Sequence, residues 1–101
     1  MNDMTEYEDV SIVGEDAGIS VPVFLSSTIL RRLAEVDRVA GIVDLDSIVR
    51  GLASALMSGK RAYWCTLHTY GGGLRLAWLK VEARTVKHGP AWFVTLAGDK
   101  V

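Results

Sequence analysis

At Lys60 the apolar periodicity of this chain changes. Before it, hydrophobic residues recur at helical spacing; after it, they alternate. Ile29, Leu30, Leu33, Val36, Val39 and Ala40 fall on one side of a helix, with Arg31, Arg32, Glu35 and Arg38 largely on the other. Ile48, Val49, Leu52, Ala53, Ala55, Leu56 and Met57 mark a second helix that ends near Gly59. RAYWCTLHTY, LRLAWLKVEARTVK and AWFVTLA then read as strands, separated by GGG at 71–73 and a turn beginning with HGP at 88–90. A chain divided this way is neither all-helical nor all-strand. The predicted order is ββααβββ, an α+β domain with two helices packed on an antiparallel sheet and a three-stranded C-terminal meander.

The boundaries follow from local signals. Residues 1–9 read as a mobile acidic arm, and residues 10–101 as one α+β domain. Within it, 19–59 is a strand-helix-helix unit and 60–98 the meander. Val10, Ser11, Ile12 and Val13 suggest a short strand, and GEDAG at 14–18 a loop. Over 19–25, Ile19, Val21, Val23 and Leu25 alternate with Ser20, Pro22 and Phe24. Pro22 has no N–H for a ladder, so this strand is expected at a sheet edge. Ser26 or Ser27 can cap the first helix, Gly41 can end it, and Asp44 or Asp46 can cap the second.

Composition narrows the function classes. Half of the 101 residues are hydrophobic, which fits a packed chain rather than a disordered one. A core of this size is modest, so a shared homodimer core is a natural supplement. No apolar run reaches the ~20 residues that span a bilayer, so no membrane partner is expected. The N-terminus is acidic and has no apolar segment, unlike a secretory signal. Cys65 is the only cysteine, which excludes an internal disulfide and fits a reducing, cytoplasmic setting. Charge is uneven. Residues 1–57 hold ten acids against four arginines, and residues 58–101 hold seven bases against two acids.

The alternating strand at 19–25, the small polar residue Ser26, Gly41 between two helical patterns, and Ile48, Leu52 and Leu56 beyond it resemble the ribbon-helix-helix family. The resemblance covers residues 19–59. It implies a homodimer paired through the strand, with Val21, Val23, Ile48 and Leu52 at the dimer interface. It also implies DNA as a partner, read in the major groove by Ser20 and Phe24, with Arg31, Arg32 and Ser47 at the phosphates. The residues themselves lean elsewhere. Of Ser20, Pro22 and Phe24 only Ser20 can hydrogen-bond a base edge. Asp44 and Asp46 stand where phosphates would be held, and duplex affinity rests on positive charge.

The sequence offers little for catalysis. Cys65 and His68 lie three apart, on opposite faces of a regular strand. With His88 they fall short of a zinc site, so no metal and no cofactor are expected. The glycines at 71–73 precede a strand, not a helix, and read as a hairpin turn rather than a phosphate loop. No serine has an evident base, and Glu82 between Lys80 and Arg84 reads as an exposed ion ladder. An enzyme is not expected. Tyr63, Trp64, Tyr70 and Trp78 interleave with Arg75, Lys80 and Arg84, the composition of a contact hot spot. The expected function is protein binding, as an inhibitor, antitoxin-like partner or assembly factor. DNA regulation is the alternative, and single-stranded nucleic acid on the basic aromatic strands is a minor one.

Overall fold

The computed structural model describes residues 6–87 and 89–100. Its elements are β1 (Tyr7–Asp9), α1 (Ser11–Asp16), β2 (Val23–Ser26), α2 (Ser27–Ala34), α3 (Arg38–Met57), β3 (Ala62–His68), β4 (Leu74–Val86) and β5 (Gly89–Lys100). The α+β class holds, and so does the order of two strands, two helices and three strands. One further helix, α1, lies between the first two strands. The five strands form one sheet in the order β1-β2-β5-β4-β3. The meander β3-β4-β5 is antiparallel, as is β1 with β2, but β2 runs parallel to β5. The sheet is therefore mixed.

Several boundaries differ from the sequence expectation, each for a local reason. Of the acidic arm, residues 1–5 lie outside the described residues, while Tyr7–Asp9 pairs with β2 as the first strand. The segment 10–13 is not a strand, because the Asp9 carboxylate accepts the N–H and O–H of Ser11 and starts a helix there. Those bonds hold the Asp9 carboxyl below the usual range. The strand expected over 19–25 is ordered only from Val23, and it is not an edge. It is flanked by β1 and β5. Pro22 costs nothing here, since it precedes the strand and its carbonyl accepts the Trp92 N–H at 2.9 Å.

The helices join more tightly than expected. Ser26 caps α2 by accepting the Ile29 N–H. Asp37, not Asp44 or Asp46, caps α3, accepting the Ala40 N–H at 3.0 Å. Gly41 therefore lies inside α3 rather than ending α2. Its lack of a side chain serves packing, because a Cβ there would come within 3.0 Å of the Leu33 carbonyl oxygen. Gly51 does the same farther along α3. A Cβ there would sit 2.8 Å from the Tyr63 ring.

The core lies between α3 and one face of the sheet. Along β3, Tyr63, Cys65 and Leu67 are buried while Trp64 and Thr66 are exposed. Ile48, Val49, Leu52 and Ala55 of α3 meet them, together with Val23 and Leu25 of β2 and Val94 of β5. Tyr63 keeps its hydroxyl satisfied inside this core by donating to the Ile48 carbonyl at 2.7 Å.

Burial also sets an alkaline limit. Loss of solvation pushes the Cys65 thiol from 9.0 up to about 11, with the Asp44 charge adding to the rise. Burial raises the Tyr63 phenol in the same sense. Both groups keep their protons to higher pH when folded than when unfolded. Their contribution to stability is complete below about pH 9 and is lost as pH climbs towards 11. The urea midpoint is expected to fall across that interval, and a midpoint constant from pH 8 to 11 would contradict the packing of these two side chains.

Candidate functional site

Alternation puts Trp64 and Thr66 of β3, with Leu76, Trp78 and Lys80 of β4, on the sheet face away from α3. Trp64 and Trp78 are direct cross-strand partners there, with ring centroids 4.8 Å apart and planes tilted by 46°. Trp64 is 46% exposed, and beside it Leu74 is 64% and Leu76 45% exposed. A register shift between Trp78 and Leu79 interrupts the β4–β5 ladder at this point. It leaves Gly98, which has no side chain, directly opposite Trp78. A shallow depression of about 570 Å³, lined by Arg61, Ala62, Lys80, Val81, Glu82 and Thr95, continues along the same strands. Large apolar surface beside polar rim residues is the usual make-up of a contact surface.

The other end of this face is closed by its own contacts. Phe24 stacks on Phe93 at 4.9 Å, and Tyr7 meets Phe93 edge-on at 4.8 Å. The Arg84 guanidinium lies 4.7 Å from the Phe93 ring centre and pairs with Glu82 at 2.7 Å. Arg61 is likewise stacked on Trp92 at 4.8 Å. These two arginines already have partners within the chain. They are poorly placed to follow a nucleic acid backbone.

The residues expected to bind a partner therefore divide. Trp64, Trp78 and Lys80 share the open face, and Arg84 stands at its closed end. Tyr63 does not belong with them; it is buried beneath α3 because odd positions of β3 face the helices. Tyr70 is 89% exposed in the β3–β4 turn, and Arg75 lies with it against α2 rather than on the tryptophan face. The dimer residues named by the resemblance are mostly internal. Val23, Ile48 and Leu52 have no exposure within a single chain, and Val21 is half-buried. A second copy cannot pair with β2 while β1 and β5 occupy both its flanks. Ser20 is exposed ahead of β2, Phe24 is stacked, Arg31 is exposed on α2, and Ser47 lies within α3 rather than at its start. Arg32 is engaged within the chain.

One constellation escapes the sequence reading. Asp44 is a carboxylate at 2% exposure, on the stripe of α3 that also carries Ile48, Leu52 and Ala55. It accepts the His68 backbone N–H at 2.8 Å and faces His68 Nδ1 at 2.7 Å. The pair fastens α3 to the end of β3 and fixes how the imidazole is turned. The available signal was a polar residue on an apolar helix stripe, which requires a buried partner. Reading Asp44 as a helix cap concealed it. Among the described residues no group of three His, Cys, Asp or Glu side chains could hold a metal ion. His88 lies outside the described residues. No helix is long and apolar enough to cross a membrane. A second exposed apolar strip, Val39, Ile42 and Val43, occupies the first turns of α3.

No family model, no curated protein and no solved structure matches this chain.

Proposed function

We propose that this chain is a non-enzymatic protein-binding module that docks a polypeptide on the open face of β3 and β4. The carrying observation is Trp64, 46% exposed and paired across the strands with the half-buried Trp78, on a face that also exposes Leu74 and Leu76. Aromatic anchors of this kind supply most of the energy at protein contacts. Lys80 stands on the same face with no ion-pair partner among the described residues, which favours a partner segment that combines apolar and acidic side chains. The same reading covers an inhibitor, an antitoxin-like partner or an assembly factor. Self-pairing into a homodimer is assigned to Val39, Ile42 and Val43 of α3, because β2 has no free flank.

The test compares wild type with Trp64→Ala and Ile42→Glu by native mass measurement and by binary binding to a partner purified from its source. Trp64→Ala is expected to weaken partner binding at least tenfold, equivalent to roughly 1.4 kcal/mol, and to leave the mass unchanged. Ile42→Glu is expected to halve the mass of the assembly and spare the partner. A partner bound equally well by Trp64→Ala removes the assignment of the open face. A wild-type chain that stays at 11.0 kDa at every concentration removes the homodimer.

A further inference from the structure

We propose that the cavity between the end of α2 and the β3–β4 turn binds a phosphate group. Its donors are Arg75, His68 and the backbone amides of Tyr70 and Gly71. The cavity measures about 390 Å³, room for a phosphate with part of whatever carries it. Its walls are Arg32, Glu35 and Val36 on the helix side and His68, Thr69, Tyr70, Gly71 and Arg75 on the sheet side. It is separate from the tryptophan face and draws on none of its residues.

Four observations converge. First, the imidazole is already aimed. Asp44 holds Nδ1 at 2.7 Å, so Nε2 is the ring nitrogen left for a ligand. Second, the His68 side chain is 35% exposed, so its remaining ring nitrogen is open to a ligand. Third, the turn has donors to spare. The Gly72 N–H goes to the Thr69 carbonyl and the Gly73 N–H to the Thr69 hydroxyl, while the Thr69 N–H goes to the Gly73 carbonyl. The N–H groups of Tyr70 and Gly71 take no acceptor among the described residues, and both residues line the cavity. Fourth, Arg75 has no hydrogen bond or ion pair among the described residues, although it stands in the cavity wall. Arg32 is engaged within the chain and contributes positive field rather than a free donor.

The charged groups of the cavity wall set the sign. Arg32 on α2 and Arg75 on β4 are positive, and Glu35, just past the end of α2, is negative. A tetrahedral anion carries oxygens in four directions and can meet the Arg75, His68 and turn-amide donors together. A planar carboxylate, with two oxygens in one plane, meets fewer of them.

The experiment is an NMR titration of the full chain with inorganic phosphate, sulfate, O-phosphoserine and acetate. The amides of Tyr70 and Gly71 and the His68 ring are expected to shift together, with a Kd on the order of 1 mM for inorganic phosphate. Arg75→Gln is expected to weaken phosphate at least tenfold with the fold intact. Lys60→Gln, an exposed cation outside the cavity, serves as the control and should bind as wild type. Tighter binding of O-phosphoserine than of phosphate would identify a phosphorylated side chain as the source, and the reverse would identify the free ion. Acetate binding as well as phosphate, shifts spread over all basic residues, or an Arg75→Gln chain that binds like wild type would each overturn the assignment.

Discussion

Leu52→Ala is expected to cost this fold roughly 2–5 kcal/mol and to lower its melting temperature by roughly 10–25 °C. Leu52 has no exposed surface and sits in the C-terminal half of α3, where it shares one cluster with β2, β3 and β5 residues. Truncation removes the transfer energy of the side chain and leaves a void that helix and sheet cannot both close. A domain of this size is stable by only about 5–15 kcal/mol, so the change removes a large share of the total. Leu74→Ala is the matched comparison. At 64% exposure it should move stability by no more than about 0.5 kcal/mol. Thermal melts followed by circular dichroism read both. Equal shifts for the two leucines would mean that α3 does not cover the sheet as described.

Asp44→Ala should be the second most damaging change, at roughly 2–4 kcal/mol. The substitution strips two hydrogen bonds at once. The His68 backbone N–H and the imidazole lose their acceptor, and α3 loses its tie to the end of β3. The figure stays below that of a fully buried ion pair because the His68 side chain is 35% exposed and water can take up part of the loss. Asp44→Asn separates charge from shape. Its amide oxygen can still accept the backbone N–H, but its amide nitrogen must face Nδ1 and so forces the other imidazole tautomer. It is expected to cost less than alanine. A double-mutant cycle with His68→Ala, read by urea unfolding, should show a coupling well above the ~0.5 kcal/mol scatter of independent sites. Strict additivity would mean that the two side chains do not act as a pair.

What the sequence made legible is what local pattern controls. The change to period two after Lys60 made the meander readable, but whether Trp64 and Trp78 face the core or the outside could not be read, because an apolar aromatic suits either face. The helix-rich middle followed from apolar spacing. The start of α3 did not, because Gly41 looks like a terminator until the close approach of Leu33 explains it as a packing glycine. The short α1 carries too few residues for its period to compete with a β-rich VSIV. Tyr63 was taken as a surface aromatic although its odd position pointed inward; composition alone does not assign a face. The Asp44–His68 pair joins residues 24 apart, and the β2–β5 pairing joins the two ends of the chain. A local window shows only that Asp44 on its apolar stripe needs a partner, not which one, and it shows nothing of the β2–β5 pairing.

That last pairing has a consequence during synthesis. β5 fills the place between β2 and β4, and Val23–Leu25 align with Trp92–Val94. A nascent chain that has not yet delivered residues 89–100 to the ribosome exit can form neither half of the sheet's central seam. Until then Val23 and Leu25 lack the neighbour that shields them. Completion of the sheet therefore waits on β5, the last of its strands to be synthesised.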